Sequence, residues 1–301
     1  MCSQKVSGEG EMPSTYKEIY WDIGHTRLHL LVYPDNGPTT LFLHANGMCA
    51  GTYGPLLDVL TGRLHLAAAD LPGHGQSGPP AVSPIRNWDS FIADLQTLIS
   101  RYFKAPINVV GHSLGAMVAY MTAARSPELV KNLVMIDPGI LPRRILWIFS
   151  LMRGLGLMDR FHLVKAARRR KYLFDSRQDA ARRFMSGKGM FKTWDKAFIQ
   201  AYLDCALDFS QMPGRLRCHP ETEAQIFASM PKDPWMDALK IECPVLLLRG
   251  QYSDVFFAGA AQRLSRKIRD CRLQTIPDTT HFLPMEKPNL VAAAILDYLN
   301  A

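Results

Sequence analysis

Apolar residues fall along the chain in short runs, set apart by turn signals and by longer stretches in which apolar positions recur every three or four residues. Short runs suit buried strands and the longer periodicity suits amphipathic helices, so the pattern predicts an α/β protein. Residues 17–22 and 27–33 flank the turn Ile23-Gly24-His25-Thr26 and read as an antiparallel hairpin. Strands are expected at 40–43, 64–69, 107–110 and 133–136, with helices over 88–102 and 114–124. From about 140 to 235 the strand pattern gives way to basic, helical sequence. Strand-like runs return at 245–248 and 272–276, and a helix over 289–299 follows. The expected organisation is a core in two parts, 15–139 and 236–301, interrupted by an inserted and mostly helical segment, 140–235.

Composition narrows the class. With 301 residues, 48% of them hydrophobic and 21% charged, the chain can bury a core and does not read as a disordered or collagen-like protein. Residues 1–14 are polar and lack the apolar centre of a secretory signal. The longest strongly apolar run, 145–152, falls short of the roughly 20 residues a membrane span needs. Six widely spaced cysteines, with no C-x-x-C pair and no zinc-like His/Cys cluster, suggest free thiols in a reducing cytosol and no metal site. His25 and His29 are four apart on a strand-and-turn stretch, which does not put them on one helical face. No G-K-[ST] follows the early glycines, so no phosphate loop is expected.

The chemistry concentrates at Gly111-His112-Ser113-Leu114-Gly115, a G-x-S-x-G between an apolar strand and a helix. A nucleophile on a sharp strand-to-helix turn needs small neighbours, which Gly111 and Gly115 provide. A serine hydroxyl attacks only when a base takes its proton, and the base needs an acid to orient it. Downstream, Asp254 lies in the loop after the apolar 246–248 run, and His281 lies in the loop after 272–276. Asp254 is the expected acid; Asp137, directly after the 133–136 strand, is a well-placed alternative, and Asp278 a weaker one.

Taken together, these motifs resemble an α/β-hydrolase-fold serine hydrolase with a helical lid. Asp70-Leu71-Pro72-Gly73-His74-Gly75-Gln76-Ser77 is similar to the family's D-x-x-G-x-G-x-S turn, and His281 to Pro288 resembles its histidine loop. The resemblance implies an oxyanion hole built from the backbone N–H of Leu114 and one from the loop after Leu43. There His44-Ala45-Asn46-Gly47 stands where the family usually has His-Gly-x-x, so Asn46 is the expected donor, with Gly47 and Met48 as alternatives. His44 and His74 read as residues that organise their loops. The implied reaction is hydrolysis of a small-molecule carboxylic ester through an acyl-enzyme, with no cofactor. Transfer of the acyl group to another acceptor, carbon–carbon bond hydrolysis, and a low-turnover ligand-binding or membrane-associated protein are the alternatives.

Charge adds one more expectation. The chain carries 35 Lys and Arg against 27 Asp and Glu, a formal net charge of +8. Residues 140–200 hold 15 of those bases and only 4 of the acids, so the whole positive excess lies in the insertion. The run Arg168-Arg169-Arg170-Lys171, near an apolar block containing Trp147, is consistent with a segment that rests on an anionic membrane surface, giving a cytoplasmic protein peripheral to a membrane. Nucleic acid is a weaker partner, since no recognised binding motif accompanies the charge.

Overall fold

A computed structural model describes residues 16–34 and 37–300; the stretch 1–14, read above as carrying no export signal, lies outside them. The first part of the chain supplies β1 (Lys17–Asp22), β2 (Arg27–Val32), β3 (Thr39–Leu43), α1 (Gly54–Leu60), β4 (His65–Ala69), α2 (Asp89–Tyr102), β5 (Ile107–His112), α3 (Leu114–Arg125) and β6 (Val130–Ile136). The middle supplies α4 (Arg143–Gly154), α5 (His162–Arg168), β7 (Leu173–Phe174), α6 (Arg177–Phe184), α7 (Lys196–Cys205), β8 (Leu207–Asp208), β9 (Gly214–Leu216) and α8 (Pro220–Ala228). The last part supplies β10 (Val245–Gly250), α9 (Ala258–Lys267), β11 (Cys271–Ile276), α10 (Leu283–Glu286) and α11 (Pro288–Asn300).

Eight strands form one sheet in the order β1-β2-β4-β3-β5-β6-β10-β11, parallel from β4 to β11 and antiparallel at the β1–β2 hairpin and at β2–β4. Successive strand residues bury into opposite layers. Leu41 and Leu43 of β3, Val109 of β5 and Leu247 of β10 join one apolar cluster with α2, α3 and α9, while Phe42, Val110, Leu246 and Leu248 join the other with α1 and α11. Helices on both faces explain why these strands read as apolar runs and not as alternating ones.

The strand order also places the loops. The chain leaves β3 towards β4 on one side and returns at β5 on the other, so the loops after β3 and β5 meet at the sheet's carboxyl edge. Leu43 is in register with Gly111, and His112 with Ile136, which brings the ends of β3, β5 and β6 together.

The segment 140–235 leaves and rejoins the core at one place, where the Trp235 indole N–H donates to the Leu141 carbonyl at 3.0 Å. It is not purely helical: β7, β9 and β8 make a small antiparallel sheet that the sequence reading did not anticipate. Its aromatic residues Phe184, Phe191 and Trp194 pack in a chain that ends on Phe282, beside His281.

Three of the four residues of the basic run within it are paired with carboxylates, while Arg169 is exposed. Arg168 binds Asp159 and Glu221 at 2.7 and 2.8 Å, Arg170 binds Glu223 at 2.5 Å, and Lys171 binds Asp179 at 2.5 Å. Arg170 and Glu223 are also largely buried, packed over Gly47. Charges already matched by carboxylates have little left to offer a membrane.

Among the described residues no helix is long and apolar enough to cross a membrane, no cluster could hold a metal ion, and no cysteine is in a disulfide.

Candidate active site

Ser113 sits between β5 and α3 with φ at +53°, a backbone conformation that is costly for any residue with a side chain. What makes the turn possible is its neighbours: a Cβ at Gly111 would run into the backbone of Gly115, and one at Gly115 into the carbonyl of Leu43. The Gly115 N–H donates to the His44 carbonyl at 3.1 Å, which ties the loop after β3 to the start of α3.

His281, in the loop after β11, spans the gap between the Ser113 hydroxyl and a buried carboxylate. Its Nε2 lies 3.1 Å from Ser113 Oγ and its Nδ1 2.8 Å from Asp137 Oδ1. The carboxylate that faces the histidine is Asp137, not Asp254. Asp137 follows β6 directly, is fully buried, and takes φ of +42°, which turns its carboxylate under the His281 ring. Its Oδ2 accepts from the Gly250 N–H at 2.9 Å, and its Oδ1 also accepts from the Ser253 hydroxyl at 2.6 Å. Three donors on one carboxylate fix its orientation.

Asp254 is displaced for a local reason. The Ser253 hydroxyl points inward, donating to Asp137 and accepting from the N–H groups of Val255 and Phe256 at 3.2 and 3.0 Å. Buried Arg249 donates to the Phe256 carbonyl at 3.2 Å and braces the same loop. With Ser253 turned in, its neighbour Asp254 turns out and is exposed. Asp278, the third carboxylate considered, faces Lys287 at 3.3 Å.

Both loop histidines are buried and engaged. Burial pushes the His44 imidazole below its ordinary range; its Nδ1 donates to the Ala45 carbonyl at 2.8 Å and its Nε2 accepts from the Leu71 N–H at 2.9 Å. His74, lowered to about 3 by burial, lies between the Pro72 carbonyl and the Asn46 side chain. Asp70 organises the same turn: its carboxylate accepts from the N–H groups of Ala50 and Gln76 and pairs with His29 at 2.8 Å.

The sequence reading missed two residues at this site. Tyr53 Oη is 2.6 Å from His112 Nδ1, and His112 Nε2 is 2.9 Å from the His281 carbonyl oxygen. The variable position of G-x-S-x-G carries no signal of this, and Tyr53 lies in no motif.

Residues 40–294 of this mostly parallel α/β chain match a known family model. The chain belongs to the alpha/beta hydrolase family. The hydrolase is 26% identical over 283 residues to 2-(acetamidomethylene)succinate hydrolase from Mesorhizobium japonicum, which covers 93% of this chain and 94% of that one. It is 28% identical over 251 residues to pimeloyl-[acyl-carrier protein] methyl ester esterase from Nitrosomonas europaea, covering 82% and 89%. The crystal structure of E-2-(acetamidomethylene)succinate hydrolase superposes on 95% of the hydrolase and all of that chain with a TM-score of 0.78 at 22% identity, a likeness of fold.

Proposed function

We propose that the hydrolase cleaves small carboxylic esters through an acyl-enzyme on Ser113. The observation that carries this reading is the His281 ring held between Ser113 Oγ at 3.1 Å and Asp137 Oδ1 at 2.8 Å. With Nδ1–H donated to Asp137, Nε2 is left unprotonated towards Ser113, the tautomer a general base needs. His281 takes the hydroxyl proton as Oγ bonds to the acyl carbon, then gives it to the departing alcohol oxygen. Water repeats the sequence and releases the acid. Asp137 holds the ring and stabilises the imidazolium formed in each step.

The oxyanion needs donors in place before reaction. Leu114 opens α3, where an N–H has no partner within the helix. On the other loop, the Ala45 N–H is bound to Tyr53 at 3.1 Å and the Met48 N–H to the Ala45 carbonyl at 3.2 Å. Of the Asn46 and Gly47 N–H groups that remain, Asn46 holds the position expected from the loop motif, and its side chain is occupied with the Glu223 carbonyl at 3.1 Å. Asn46 and Leu114 are therefore the proposed pair. The relative that hydrolyses a methyl ester favours esters over carbon–carbon substrates.

The test is rapid quenching of p-nitrophenyl acetate, butyrate and octanoate turnover, followed by mass spectrometry. An acyl adduct on the peptide containing Ser113, decaying to free acid in water, is the expected result. Product that forms only when an alcohol acceptor is added would make the protein a transferase.

In this reading, segment 140–235 is a lid, and its outward helix faces an anionic lipid surface. Helix α4 buries Leu146 and Phe149 but exposes Trp147 at 70% and Ile148 and Leu151 at 50%, and Leu155, just past its end, is exposed at 62%. Arg144, Ile148, Leu151 and Leu155 follow one helical stripe, and Arg143, half exposed and loosely paired with Asp233 at 3.9 Å, stands one turn before Trp147. An apolar stripe headed by arginines complements acyl chains under anionic headgroups. A second copy of the chain would instead set one strongly basic segment against another. The protein is expected to sediment with phosphatidylglycerol vesicles at low salt and to come off as salt rises, with Trp147→Ala and Arg143→Gln/Arg144→Gln each weakening binding several-fold. Unchanged vesicle binding in both variants would remove the lipid surface from the proposal.

A further inference from the structure

Tyr53 and His112 form a buried polar connection between the two loops that would serve the reaction. The Ala45 N–H, next to the proposed Asn46 donor, gives its hydrogen to Tyr53 Oη at 3.1 Å. The hydroxyl's own proton goes to His112 Nδ1 at 2.6 Å, a closer and better acceptor than the Met48 sulfur at 3.4 Å. The ring's other nitrogen, Nε2, faces the His281 carbonyl oxygen at 2.9 Å. A carbonyl can only accept, so Nε2 carries the ring's proton and Nδ1 is the acceptor; the two ends of the connection fix the same tautomer. Both side chains are fully buried, and burial holds the His112 imidazole well below its ordinary range, hence neutral.

Elsewhere the backbone of the His281 loop is held by α10 and by the loop after β10. Glu286 accepts from the Thr280 N–H and hydroxyl, and the Tyr252 N–H donates to the Thr279 carbonyl at 2.8 Å. The His112 bond is different, because it ties the backbone of the base to the residue before the nucleophile. The two imidazoles also lie close together, their planes tilted by 37° and their centroids 4.9 Å apart.

From this geometry we infer that Tyr53 and His112 are positioning residues: they set the distance from His281 Nε2 to Ser113 Oγ and, through Ala45, hold the oxyanion loop in step with it. The inference rests on the esterase reading above. Neither side chain touches substrate. Both act by keeping reacting groups in place, and a misplacement of about 1 Å can cost on the order of 100-fold in rate.

The experiment uses the full chain with p-nitrophenyl butyrate, active sites counted by stoichiometric labelling with an organophosphonate, and melting temperature measured in parallel. Tyr53→Phe removes one oxygen and keeps the ring. It is expected to lower kcat per active site about 10-fold with KM within two-fold, and His112→Phe to lower it on the order of 100-fold. His112→Gln, whose amide nitrogen reaches the former Nε2 position, should recover most of that loss. Tyr53→Phe/His112→Phe should be no slower than His112→Phe alone, as expected of two residues in one connection. Wild-type kcat per active site in both single variants, with only melting temperature lowered, would overturn the inference.

A second readout does not depend on turnover. The proton between His281 Nδ1 and Asp137 should give a far-downfield NMR resonance in the wild type, and Tyr53→Phe should broaden or shift it. If the wild type cleaves no ester but this resonance responds, the positioning role stands and the esterase reading falls. An unmoved resonance in both Tyr53→Phe and His112→Phe would sink the positioning role whatever the substrate.

Discussion

Ser113→Ala is expected to remove nearly all of the proposed hydrolysis of short acyl esters, a loss of about 10⁴-fold to 10⁶-fold in kcat. The substitution takes away one oxygen whose partner in the site is His281 Nε2 at 3.1 Å. It leaves the strained backbone as it was, since alanine and serine carry the same Cβ into the +53° conformation. Melting temperature should therefore stay close to that of the wild type, and the variant should still bind a slow substrate. His281→Ala should be comparably inactive, and Ser113→Ala/His281→Ala no worse than either alone, because nucleophile and base act as a unit. The comparison is a steady-state assay on wild type and variants purified side by side. If Ser113→Ala kept a tenth of wild-type activity in a preparation free of contaminating esterase, the nucleophile would have to be sought elsewhere.

What could be read from sequence and what could not divide along physical lines. Strands β3, β5 and β10 are legible because both their faces are buried, so they stand out as apolar runs such as Val245–Gly250. The nucleophile turn is legible because its geometry demands glycine at fixed offsets. The small sheet is illegible for the opposite reason: Leu173–Phe174 and Leu207–Asp208 are two residues long, too short for an alternation to show. The basic run misleads because its partners are remote in sequence: Glu221 and Glu223 lie 53 positions from Arg168 and Arg170. Tyr53 and His112 are 59 positions apart and meet only because the chain crosses from one side of β3 to the other.

The acid illustrates the limit of such reading most clearly. Asp137 and Asp254 both follow apolar strands, and β6 and β10 are neighbours in the sheet, so either loop could reach the histidine by topology alone. The choice is made by side-chain direction. Ser253 turns in to meet Asp137, Asp254 turns out, and a backbone at φ of +42° aims Asp137 under the ring. Neither direction leaves a mark in the sequence.

Asp137→Asn should accordingly lower kcat by about 10³-fold to 10⁴-fold, while Asp254→Asn stays within about two-fold of wild type. The carboxylate now accepts from three donors: His281 Nδ1–H and the Ser253 hydroxyl on Oδ1, and the Gly250 N–H on Oδ2. An asparagine has one accepting oxygen and one donating nitrogen, so no orientation satisfies all three. With its oxygen towards His281, the amide nitrogen meets the Gly250 N–H, and a buried donor left without a partner costs about 1–3 kcal/mol of stability. With its nitrogen towards His281, the ring must accept at Nδ1 and carry its proton on Nε2, pointing a hydrogen at Ser113 where a lone pair is required. In either orientation the negative charge that would stabilise the imidazolium is gone. Asp254→Asn changes only an exposed side chain outside this arrangement. Measuring kcat/KM per labelled active site, together with melting temperature, separates the outcomes. A severe loss in Asp254→Asn with Asp137→Asn nearly unaffected would return the acid to the loop after β10.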